Sequence, residues 1–227
     1  MIDRDIIAFA GLAEPVSSLT HLLAALAYLL SAPTLLRRVR GDRLREIAVG
    51  MFLLGMTGMF LASGSYHALD PSHPQRELLR HIDHGMIWVA IGSTISALSA
   101  LAFPEKRGER VFVWALAVFG ISVELFFLET LPSWVAPVLY VLMGNLGLFP
   151  VVRIFRERGP AIPGLFVLAG IASMSGAAVE AIESPNLMPH VFEAHELLHV
   201  FIATSMGLFW WGILRATGIE PIEKSSE

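Results

Sequence analysis

The apolar positions of this chain fall into seven long blocks, at about 17–36, 47–68, 82–103, 111–128, 134–152, 161–182 and 194–214, separated by short polar connectors. A helix that crosses a hydrocarbon core needs about 20 such residues. Each block reaches or approaches that length, which predicts an all-α integral membrane protein, a bundle of seven transmembrane helices. No connector is long enough to separate independent domains, so the 227 residues are expected to form one membrane domain. The opening stretch, MIDRDIIAFAGLAEP, has no uninterrupted apolar run and is not expected to act as a cleavable signal peptide. Residues 1–13 instead read as a short interfacial segment, and 217–227 as a polar tail.

Composition agrees: 55% of residues are hydrophobic, 16% are charged and mean hydropathy is +0.64, well outside the range of soluble domains. Cysteine is absent, which removes disulfides and thiolate chemistry. Neither a Walker loop nor a GxGxxG is present, and no basic stripe marks a nucleic-acid partner.

Charge placement predicts an orientation. With seven spans, the loops after the odd-numbered segments and the C-terminus share one side. That side carries thirteen basic residues (Arg37 to Arg45, Lys106 to Arg110, Arg153 to Arg158, Arg215 and Lys224), against three, Arg4, Arg76 and Arg80, on the other. The positive-inside rule then puts the C-terminus in the cytoplasm and the N-terminus outside the cell membrane.

All eight histidines belong to the N-terminal side: His21, His67, His73, His81, His84, His190, His195 and His199. His195 and His199 in HELLH are four residues apart, hence on one helical face, where two imidazoles can grip one metal ion. His67 ends the second segment, one helical turn after Ser63, and the hydroxyl and imidazole share a face. His67, His195 and His199 make the three-histidine ligand set of a catalytic zinc ion with a fourth position for water. Asp83, at the start of the third segment, fits as the group that accepts a hydrogen bond from that water and takes its proton. A helix N-cap is the plain alternative for Asp83; His84 and His81 are rival third ligands.

Glu196 completes HExxH, the zinc-protease signature, in which it would be the general base. With His67 and Asp83 at hand that reading is the weaker one, and Glu196 is expected to face the lipid headgroups. The remaining intramembrane polar groups have plainer expectations. Glu124, Glu129, Glu180 and Glu183 end their segments and are read as solvated at the interface, with Glu180 alternatively lining the metal cavity or touching His190. Asn145 is read as an interhelical hydrogen-bond group and Trp210 and Trp211 as an aromatic belt. Gly164, Gly170 and Gly176 suggest either tight packing or a portal for acyl chains.

SxxxH at 63–67, HxDH at 81–84 and HxxxH at 195–199 on seven helices together resemble the hemolysin III family, within the progestin and adiponectin receptor superfamily and, more distantly, the alkaline ceramidases. EPVSSLTH at 14–21 is similar to that family's opening motif, with Glu14, Thr20 and His21 in place and Ser17 and Ser18 where bacterial members usually carry an Asn. The resemblance implies a seven-helix bundle with zinc on His67, His195 and His199, and Asp83 and Ser63 holding the zinc's water or supporting its ligands. It also implies hydrolysis of a lipid amide such as ceramide, with a membrane lipid as partner. The alternatives are a receptor-like or membrane-homeostasis protein whose zinc only ties helices together, an intramembrane protease, or a pore.

Overall fold

The computed structural model describes residues 6–127, 130–132 and 134–218, the side chain of Arg158 excepted. Among the described residues eight helices follow one another: α1 (Pro15–Arg38), α2 (Arg43–Ala68), α3 (Arg76–Ala102), α4 (Arg107–Phe127), α5 (Val135–Asn145), α6 (Leu148–Arg158), α7 (Pro163–Ile182) and α8 (Ala194–Thr217). Seven stretches are long and apolar enough to cross a membrane, α5 and α6 together forming the fifth, Val135–Glu157. The chain is a seven-span membrane protein.

The division of the fifth span differs from the single segment read at 134–152, and Pro150 supplies a reason. In an unbroken helix its ring would press on the carbonyl of Leu146 and its missing N–H would leave that carbonyl unpaired. The backbone instead tightens at the preceding turn, where Leu146 N donates to Met143 O at 3.0 Å and Gly147 N to Gly144 O at 2.9 Å. Asn145 lies exposed at this break and not between helices as expected.

Most residues of α2 and α3 are buried, but at most a third in each of the other spans, so these two are the central elements. α1 packs between α2 and α8, α7 lies along α8, and α4, α5 and α6 cover the far side of α3. Phe52, Met56 and Phe60 of α2 are fully enclosed in the main core, while Trp88, Ile95, Val113, Ala117 and Met143 form a second core between α3, α4 and α5. Gly120 admits the Trp88 indole where any side chain would overlap it.

Polar groups tie the outer helices in register. Tyr28 Oη donates to Met206 O at 2.6 Å between α1 and α8, and Ser205 Oγ to Ala169 O at 2.7 Å between α8 and α7. With water absent from the hydrocarbon, such bonds have few competitors. Gly176 serves packing: a Cβ there would sit 2.9 Å from Phe201 and 3.0 Å from Leu198 of α8, whereas Gly164 and Gly170 face open space. Of the two tryptophans read as a belt, Trp211 faces outward and Trp210 packs against the core.

The described stretch of the N-terminal segment is not helical. It straps the bundle end by backbone bonds from Ile7 N to His190 O (2.8 Å), Ala13 N to Ala68 O (3.1 Å) and Glu14 N to His67 O (3.0 Å). The strap thereby reaches the end where α2 stops and α1, α3 and α8 begin.

Candidate metal centre

His67 in the last turn of α2 and His195 and His199 in the first two turns of α8 converge at this end. One ring nitrogen from each lies within 4.8 Å of the others. His195 Nε2 is 3.4 Å from His67 Nε2 and 3.1 Å from His199 Nε2. A tetrahedral ion with metal–nitrogen bonds of about 2.0–2.1 Å sets its ligand atoms roughly 3.3–3.4 Å apart, so the cluster is near the required spacing. Two of the rings also have their outer nitrogens engaged by carboxylates. His67 Nδ1 donates to Glu14 Oε2 at 2.7 Å, and His195 Nδ1 to Glu180 Oε1 at 3.1 Å. With the proton at Nδ1, each neutral ring presents a bare Nε2 lone pair to the centre. Two such lone pairs facing each other repel, and a cation between them removes the conflict. Carboxylate–imidazole–metal pairs of this kind fix the tautomer and raise ligand basicity. The buried triad can hold a metal ion.

Glu14 is itself held by Arg76, whose Nη2 donates to Oε1 at 2.5 Å. Burial raises the Glu14 carboxyl, but the hydrogen bonds from His67 and Arg76 outweigh it and hold the group down at about 2. Arg76 also donates to the Leu69 carbonyl and lies over the Tyr66 ring, locking the α2–α3 connection against the strap. The sequence places Glu14 in a motif without a role. Its partner is 53 positions away, and no local pattern joins the two. Glu180, expected at the interface or alternatively lining the metal cavity or touching His190, stands at the cluster with His195 as its partner.

Asp83 is 8% exposed and lies in the third turn of α3, which begins seven residues earlier at Arg76 with Gln75 as its N-cap. The capping alternative is therefore excluded. Ser63 of α2 and His67 both lie within interaction range of the Asp83 carboxyl, so α2 and α3 bring the two polar groups beside the triad. His84 and His81 are not brought in. His84 Nδ1 faces Glu124 at 3.5 Å, and His81 Nδ1 is 2.9 Å from Glu77 O. His21 stands against the triad without joining it, its ring stacked on His199 with centroids 4.0 Å apart.

Glu196 does not face the headgroups: it is 1% exposed. Its Oε2 accepts from Glu193 N at 2.9 Å while the Glu193 side chain accepts from the Glu196 amide, a reciprocal capping box. Its Oε1 accepts from Ser17 Oγ at 3.0 Å, joining α8 to α1. The glutamate of HELLH thus caps the start of the helix that carries both histidines. Glu124 is likewise buried, 2% exposed, and accepts from Tyr140 Oη at 2.5 Å, contrary to the interfacial reading. Glu129 lies outside the described residues.

Fold and site together define a seven-span membrane protein with a buried three-histidine centre at one end. The family model for haemolysin-III related proteins matches residues 9–210, and the chain belongs to that family.

Proposed function

We propose that this protein is a zinc-dependent hydrolase of a lipid amide, with His67, His195 and His199 as zinc ligands and Asp83 and Ser63 as the catalytic polar pair. The observation that carries the reading is the convergence of three imidazoles, two with Nδ1 on a carboxylate, beside a buried Asp83 that is no ligand of the cluster. When bound, zinc supplies Lewis acidity and makes a hydroxide nucleophile accessible near neutral pH.

The protein groups have separable tasks. Glu14 and Glu180 hold two imidazoles with their Nε2 lone pairs inward. Asp83 accepts the proton of the attacking water at a carboxylate oxygen and returns it to the departing amine nitrogen, as a general base and then acid. Ser63 holds the Asp83 carboxyl in place through its hydroxyl. The seven-span setting supports a lipid as substrate, with the amide at the level of the histidines and the acyl chains among the helices. The thirteen-to-three distribution of basic residues supports a cell-membrane orientation with this centre toward the outside and the C-terminus in the cytoplasm.

A second reading, a receptor-like protein with a structural metal, draws support from the helices involved. The triad links α2 to α8, which pack chiefly through α1 and α3. The test uses the full chain in detergent with a fluorescent short-chain ceramide. Under the hydrolase reading the wild type releases fatty acid, and Asp83→Ala loses that release while keeping its metal. Metal removal that lowers the Tm, with no turnover of ceramide or of simpler fatty amides, overturns it in favour of the structural reading.

A further inference from the structure

We propose that the end of the bundle opposite the histidines carries a binding site for the phosphodiester of an anionic phospholipid, with Arg38 and Arg215 as its two charged walls. α1 and α8 finish side by side there, and a crevice of about 300 Å³ is lined by Arg38, Ile162, Leu214, Arg215 and Gly218. Arg38 belongs to the last turn of α1 and Arg215 to the last turn of α8, so an arginine from each of two helices lines the crevice beside the apolar Ile162 and Leu214. No carboxylate lines the crevice among the described residues, and neither arginine has an ion-pair partner among them.

Charge arithmetic favours an anion. The C-termini of α1 and α8 each bring about half a negative charge, and the N-terminus of α7, which begins just after Ile162, about half a positive one. Against two guanidiniums this leaves a net positive charge of roughly one to one and a half, close to the single charge of a phosphodiester. Guanidinium N–H groups also match phosphate oxygens in geometry.

The surroundings favour a lipid over a free anion. Trp211, one turn before Arg215 on the same face of α8, is 49% exposed on the flank of the bundle, as an indole at the membrane interface would be. Ile162 and Leu214 offer apolar contact below the charged pair, where the glycerol and first acyl carbons of a lipid would lie. Gly218 permits the arrangement: a Cβ there would stand 2.9 Å from Arg38 Nη1. Basic pockets between spanning helices are a recognised mode of lipid headgroup capture.

Native mass spectrometry tests this on the full-length chain in neutral detergent with equimolar phosphatidylglycerol and phosphatidylcholine. The wild type is expected to retain phosphatidylglycerol about tenfold over phosphatidylcholine, and Arg38→Gln with Arg215→Gln to retain both equally. Lys106→Gln with Arg107→Gln removes two charges at the same end of the bundle, away from the crevice, and is expected to keep the preference. Gly218→Leu keeps both arginines but displaces Arg38, and is expected to weaken the preference. Should the double variant fail to fold, Gly218→Leu and competition on the wild type by inorganic phosphate carry the test. An unchanged preference in the crevice variants, equal loss in the control pair, or displacement of the lipid by millimolar phosphate each overturns the proposal.

Discussion

Glu14 and His67 are joined twice: the Glu14 amide donates to the His67 carbonyl at 3.0 Å, and the Glu14 carboxylate accepts from His67 Nδ1 at 2.7 Å. Backbone and side chain of the same two residues therefore fix both the position of the last turn of α2 and the direction of its imidazole. Replacing Glu14 by Ala is expected to weaken metal affinity by about 10–100-fold, as loss of such outer partners does. Chelator competition on purified protein measures the change. Glu14→Gln, whose amide oxygen still accepts, is expected to lose less.

Metal analysis of the wild type should find one metal ion per chain, and His195→Ala should lower it well below that value. His195 is the ring closest to both of its neighbours, at 3.4 and 3.1 Å, so its loss leaves no adequate set. A metal-free wild type, purified without chelator, would sink the site.

Stripping the metal is expected to lower the Tm. A ligand bound only to the folded state and present at about 100 times its Kd contributes about 2.7 kcal/mol. Re-addition should restore the melting temperature in the wild type and not in His199→Ala.

Glu196 offers a test between capping and protease chemistry. Glu196→Ala removes a cap of α8 and the bond from Ser17, with an expected cost of about 0.5–2 kcal/mol for the cap. Glu196→Gln can turn its amide oxygen to the Glu193 N–H and its NH2 to Ser17 Oγ, which then accepts, and is expected to keep metal content and stability near wild type. If Glu196 were a general base, the Gln variant would be stable but inactive in the turnover assay.

Tyr140→Phe removes the donor to the buried Glu124 carboxylate while preserving the ring against Trp88. Leaving a buried acceptor short of a partner costs about 1–3 kcal/mol or more. Thermal unfolding is expected to show this loss with the metal content unchanged, because the pair lies on the α3–α4–α5 side of the bundle, away from the triad.

Much of this architecture is legible along the chain. Membrane length, helix-face spacing and histidine placement are properties of neighbouring residues, and hydrophobic burial acts on runs of about 20 residues at a time. The seven spans, the pairing of His195 with His199, and the proximity of Ser63 to His67 follow from that local regularity. Even the break of the fifth span is written in Pro150, although the apolar run masks it. The partners of the ring nitrogens are not legible. Glu14 reaches His67 because the strap crosses the bundle end, and Glu180 reaches His195 because α7 and α8 pack along one another. Glu196 and Glu124 depart from their expected places for the same reason. An acidic residue near the end of an apolar run looks solvated until a neighbouring helix supplies its donor. Sequence alone determined which residues lie in the membrane and which turn of which helix bears a histidine. Only the tertiary structure decided which carboxylate each imidazole would meet, because that choice depends on contacts between helices far apart in the chain.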